Sequence, residues 1–160
     1  MALPERLAKF GLEVAPEKTR LVPFGFQHWQ LGKGAVGSFD FLGFSHHLGA
    51  SRKGAMVVVR LPAKKGVYRF LMEVKEWLRR NMHLPPNEQR QSLAAKLRGY
   101  FQYFGLPRCT TVLRRVRDQV VWYWARTLGR RSQRGKPTWV SLKKRQWFTL
   151  PKPRVLHPEV

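Results

Sequence analysis

Between residues 67 and 78 the apolar side chains recur at three- and four-residue steps: Val67, Phe70, Leu71, Val74, Trp77 and Leu78. That spacing lays them along one stripe of an α-helix, so an amphipathic helix is expected after Pro62. Pro85 and Pro86 close it and open a second helix, in which Leu93, Leu97, Tyr100, Phe101 and Phe104 repeat the pattern until Gly105 and Pro107 stop it. A third is predicted from about Thr110 to Leu128, with Leu113, Val116, Val120 and Trp124 inward. A fourth starts at the N-cap residue Thr138 and carries Trp139, Leu142 and Trp147.

Ahead of Pro62 the pattern is different. A short helix over Pro4–Phe10 is stopped by Gly11, and Leu12–Val14 and Arg20–Phe24 read as two short strands around the turn APEKT. Residues 25–38 hold four glycines and no sustained period, and read as a loop. Phe39–His47 reads as one strand, apolar on nearly both faces. Met56–Leu61 is its antiparallel partner, and the glycine-punctuated stretch Gly49–Gly54 is the turn between them. The fold class is therefore α+β: a short antiparallel β region followed by an all-α helical bundle, with the proline-rich residues 151–160 as an extended tail.

Within the second helix, KLRGYFQYFG places Leu97, Tyr100, Phe101 and Phe104 on the packing face and projects Arg98 from its flank. Gly99 costs about 1 kcal/mol in helix propensity. It is expected where another backbone or a ligand comes close.

Charge changes the picture. Lys and Arg number 31 against 9 Asp and Glu, a formal net charge of +22 that points to a polyanionic partner, nucleic acid first. Residues 1–60 are net +4 and residues 61–160 net +18, so the basic surface belongs to the helical part. There arginine outnumbers lysine 15 to 8, which favours forked contacts to phosphate and stacking on bases. The run from Thr110 to Lys136 sets Arg114, Arg115, Arg117, Arg126, Arg130, Arg131, Arg134 and Lys136 against one acid, Asp118. Such a surface is expected to bind RNA or DNA and to lose affinity steeply with salt. Arg98 and the later run Lys143, Lys144 and Arg145 extend it.

Other chemistry is excluded by its missing parts. Two-metal phosphoryl transfer needs carboxylates that converge, yet no two of the nine acids are adjacent. Glu73 and Glu76 sit beside Lys75 and Arg79 and read as a solvated ion-pair face. His46 and His47 point to opposite sides of a strand, and the other histidines lack metal-ligand spacing, so no metal site is expected. LGKGAVG lacks the Lys-Ser/Thr end of a phosphate loop. Cys109 is the only cysteine, which fits a reducing interior and makes the cytoplasm the default location. No run has the length of a membrane span.

The succession LRGYFQYFG, RRVRDQVVWYWARTLGRRSQ and TWVSLKKRQWFTLPKPRVLHP resembles the maturase-specific region, the thumb, of bacterial group II intron-encoded reverse transcriptases. Upstream, KFGLEVAPEKTRLVPFG is similar to the segment after that family's catalytic strand pair, and FDFLGF to its primer-grip motif. The resemblance implies that residues 1–62 are the end of a polymerase palm, residues 63–150 the helical thumb, and residues 151–160 a tail. It implies that Lys18 lies near an incoming nucleotide and that Phe39, Asp40, Phe41, Leu42, Gly43 and Phe44 lie at the primer end. The implied partner is structured RNA, group II intron RNA, bound to promote its folding and splicing; a fingers and palm polypeptide is a further implied partner. No YADD motif and no Cys/His endonuclease cluster is present in the sequence. The expectation is a fragment without cofactor of its own, Mg²⁺ belonging to the missing palm half. A piece of a split or truncated RNA-directed DNA polymerase, or an inactive remnant, is the alternative.

Overall fold

The computed structural model describes residues 3–15, 17, 19, 22, 24, 37–51, 53–131 and 137–157. In chain order the elements are α1 (Leu3–Ala8), β1 (Phe39–Phe41), β2 (Phe44–Ala50), β3 (Met56–Pro62), α2 (Lys64–Arg80), α3 (Pro86–Phe104), α4 (Thr110–Arg130) and α5 (Trp139–Lys143). The three strands form one antiparallel sheet in the order β1-β2-β3, and the fold is α+β. The chain divides into two compact units, residues 1–39 with 47–57, and residues 40–46 with 58–160.

In the first unit α1 ends in a turn at Gly11, whose φ of +67° is the left-handed conformation glycine adopts freely. Leu12–Val14 is irregular, not the expected strand. A strand needs a hydrogen-bonding neighbour, and the described sheet has three strands, none of which includes it. The strand expected at Arg20–Phe24 and most of the loop at 25–38 lie outside the described residues. The turn expected to begin at Gly49 begins later: β2 runs to Ala50, and Ser51 N–H then donates to the Ala55 carbonyl at 2.7 Å.

In the second unit the stretch expected as a single strand is a hairpin. Leu42 (φ +48°) and Gly43 (φ +76°) both take positive φ, the signature of a two-residue type I′ turn. Its tip is fastened at two points: Ala63 N–H donates to the Gly43 carbonyl at 2.8 Å, and the Tyr103 hydroxyl to the Leu42 carbonyl at 2.7 Å. Phe44 stacks on Tyr103 with ring centroids 5.5 Å apart.

The helices follow the predicted stripes. Leu113, Val116, Val120, Trp124 and Leu128 of α4 are buried; Val74 and Leu78 of α2 and Leu93, Leu97 and Phe101 of α3 pack in the same core. Each such side chain contributes roughly 1.5–3 kcal/mol by leaving water. Pro86 occupies the first turn of α3, where its missing N–H costs nothing. Gln89 is fully buried. Its amide N–H groups donate to the carbonyls of Asn81 (2.9 Å), Met82 (3.3 Å) and Leu84 (3.2 Å), and its oxygen accepts from the Trp124 indole at 2.9 Å.

Beyond α4, the Thr138 side chain accepts from Ser141 N–H at 3.2 Å and caps α5 as expected. The helix ends at Lys143, so Trp147 falls in the following turn, edge-on to Trp124 at 5.9 Å. Trp139 is 42% exposed. Five residues make little more than one turn, and that turn buries only Leu142. The chain from 151 to 156 has no regular structure but is docked. Leu156 N–H donates to the Gly105 carbonyl at 2.8 Å, and His157 Nε2 to the Gln102 carbonyl at 2.8 Å. A Cβ at Gly105 would stand 2.6 Å from the Phe101 carbonyl oxygen and 3.2 Å from that of Arg154, so only glycine fits.

Candidate nucleic-acid interface

Along the side of α4 away from the core, Arg115, Asp118, Trp122, Arg126 and Arg130 follow one another at three- and four-residue steps, all exposed. Arg114 lies beside them, also exposed. Arg114 and Arg130 are separated by roughly 24 Å of helix at 1.5 Å per residue, so the basic run spreads over both ends of α4.

Two arginines of that run are occupied within the protein. The Arg117 guanidinium donates to the carbonyls of Leu150 (3.3 Å) and Pro151 (3.1 Å) and pairs with Asp118 at 3.1 Å; its side chain is 22% exposed. Arg131 donates to the carbonyls of Leu84 (2.7 Å) and His83 (3.2 Å) and holds the α2–α3 connection. Arg134, Lys136 and Lys18 lie outside the described residues.

A groove of about 510 Å³ runs between α2 and α4. Lys75 and Arg79 enter it from α2, Arg126 and Arg130 from α4, with Met72 and Trp122 supplying apolar wall. Sequence reasoning missed the two α2 cations because it assigned them to a solvated ion-pair face. That face exists in part: Glu76 accepts from Arg79 at 2.9 Å and from Arg80 at 2.8 Å. Its hydrogen bonds to Arg79 and then Arg80 hold the Glu76 carboxyl at about 2, below its ordinary 4.5. Lys75 instead leans over the Tyr123 ring, 6.0 Å from its centroid. The signal was the i, i+4 spacing of Lys75 and Arg79 matching that of Arg126 and Arg130.

On the other side of α2, a groove of about 680 Å³ separates it from α3 and reaches the hairpin tip at Leu42 and Gly43. Gly66 and Gly99 line it, and a Cβ at either would meet nothing within 4 Å. Among the described residues no backbone therefore crosses Gly99, contrary to one half of the sequence expectation; the missing side chain leaves open space rimmed by Arg69 and Lys96. Arg98 projects from the flank, exposed. Tyr100 stacks on Phe70 at 4.3 Å, and its buried hydroxyl has no hydrogen-bond partner among the described residues. Burial, with Cys109 nearby, pushes that hydroxyl up to about 12.

Of the residues expected at a primer end, Phe39 and Asp40 lie on β1, Phe44 opens β2, and Phe41 and Leu42 are 59% and 68% exposed at the tip before Gly43. Lys143, Lys144 and Arg145 are exposed on and after α5. Lys143 Nζ lies 5.1 Å from the Trp139 ring centroid and the Arg145 guanidinium 5.7 Å from that of Trp147. Among the described residues no three His, Cys, Asp or Glu side chains cluster as metal ligands, and no helix is long and apolar enough to cross a membrane.

These features define a class: a small helical bundle, led in by a β-hairpin, whose outer faces alternate cations with aromatic rings. Residues 67–147, half of the chain, match the family described as the group II intron, maturase-specific domain, and the chain belongs to that family. No curated protein and no solved structure shows significant similarity to it.

Proposed function

We propose that this chain binds group II intron RNA and supports its folding for splicing. The observation that carries the reading is the convergence of Lys75 and Arg79 with Arg126 and Arg130 on one groove, in a chain of the maturase-specific family. Lys75, Arg126 and Arg130, with Arg79 shared with Glu76, suit phosphates, and the contact is to the shape and backbone of structured RNA. Arg98, Arg114, Arg115, Lys143, Lys144 and Arg145 extend the surface; Arg134 and Lys136 are assigned to the same RNA on the sequence alone. In this reading residues 1–62 are the end of a palm, 63–150 the thumb and 151–160 its tail; the protein works in the cytoplasm and needs no cofactor for binding.

A second reading makes the chain one piece of a reverse transcriptase. It is favoured by the exposed hairpin tip, with Phe41 and Leu42 open to solvent and Lys18 upstream. Mg²⁺ and the bond-making aspartates then come from a separate fingers and palm polypeptide.

The test is filter binding of an intron transcript across a salt series. Arg115, Arg126 and Arg130 changed together to glutamine should weaken binding and lower the slope of log K against log salt by about 0.7–0.9 for each phosphate that the variant leaves unneutralised. Arg117→Gln should lower stability and leave that slope in place. A triple variant with the wild-type slope overturns the assignment.

A further inference from the structure

Trp122 of α4 and Trp139 of α5 remain 46% and 42% exposed. Together with Ala125, Arg126, Pro137 and Leu142 they line one open site of about 280 Å³. Each indole has a cation at hand: the Arg126 guanidinium 5.3 Å from the Trp122 centroid, and Lys143 Nζ 5.1 Å from that of Trp139. Trp122 also lines the α2–α4 groove, so this site continues the cationic one.

We propose that Trp122 and Trp139 form a platform on which unpaired RNA bases stack, with Arg126 and Lys143 holding the adjoining phosphates. The proposal rests on the RNA-binding reading and adds the state of the RNA: looped or single-stranded at this point. Bases inside a duplex are already stacked and turn no ring face outward, so an open indole is useful only to an unstacked base. Charge selects the same occupant. A second copy of this chain would bring its own net charge of +22 against Arg126 and Lys143, whereas a strand of phosphates is attracted by both. Intrahelical packing of Trp122 on Arg126 and of Trp139 on Lys143, each four residues apart, accounts for the cations and not for the exposure that both indoles keep.

The experiment measures fluorescence anisotropy of the full chain with single-stranded oligo(U) and with a blunt RNA duplex of equal phosphate count at one salt concentration. Trp122→Leu with Trp139→Leu should weaken strand binding about tenfold or more and duplex binding by less than about twofold, whereas Trp122→Phe with Trp139→Phe should keep most strand affinity. The strand should also quench indole emission more in the wild type than in the Phe variant. Equal loss on both RNAs, or no loss on the strand, overturns the proposal. Should the Leu variant fail to fold, equal quenching in the wild type and the Phe variant overturns it. A wild-type dimer that becomes a monomer in the Phe variant, with strand binding unchanged, overturns it in favour of a contact between copies. If the wild type binds neither RNA, the RNA-binding reading itself fails; if it binds both and the tryptophans make no difference, only the platform fails.

Discussion

Gln89 shows how much one side chain can decide. Its amide satisfies three carbonyls of the α2–α3 connection and the Trp124 indole at once, with no exposure to water. Gln89→Leu would keep the volume and leave the indole N–H and the carbonyls without partners. The expected cost is about 2–3 kcal/mol, read as a lower urea midpoint with an unchanged slope. None of this was legible in the sequence, where Gln89 looks like any polar residue in the first turn of a helix; its partner Trp124 is 35 residues away. Arg117 was misleading for the same reason. Its carbonyl partners lie 33 and 34 residues on, so it was indistinguishable from Arg114 and Arg115, which remain exposed.

At the level of elements the sequence was informative wherever one physical rule acted alone. The stripes from Val67 to Leu78 and from Leu113 to Trp124 became helices with those residues facing the core, because the 3.6-residue period and burial agree. The hairpin at Leu42 was hidden because Leu-Gly lacks the Asn-Gly signature of its turn, and the alternation of FDFLGF runs on past it as though it were one strand. That mismatch has a consequence for stability. Leucine at φ +48° is held in a conformation that costs an L-residue roughly 1–2 kcal/mol, against the bonds from Tyr103 and Ala63. Since the Leu42 side chain is exposed, Leu42→Asn should raise stability by about 1 kcal/mol, measured as a higher melting temperature. An unchanged or lower value would mean that the leucine is held by contacts its side chain makes.

For the molecule as a whole, charge was the most legible property and its deployment the least. The sequence predicted a basic helical part, but not that cations of two different helices share one groove, since that depends on how α2 packs against α4. Stability should fall at both ends of the pH scale. At the acid end, the Glu76 carboxyl is held at about 2 by Arg79 and Arg80, so its contribution is full above 4.5 and fades as pH falls towards 2. At the alkaline end, burial raises Tyr100 from 10.0 to about 12 and raises Cys109 above 9.0. Unfolding releases these protons more readily, so the folded form loses stability as pH rises past those ordinary values. Tyr100→Phe should flatten the alkaline limb and, by removing a buried hydroxyl without a partner, hold or raise the melting temperature at neutral pH. A limb as steep as in the wild type would assign the effect elsewhere.

The bonds of Gln89 fasten the end of α2, the start of α3 and the middle of α4 to one another, and Arg131 rivets the same corner from the far side. The two walls of the cationic groove are thereby kept at a set separation before anything enters it. If RNA enters there as proposed, the protein acts as a gauge: a strand whose own dimensions differ from that gap has to bend to meet it, and one that already matches is chosen without either partner changing shape.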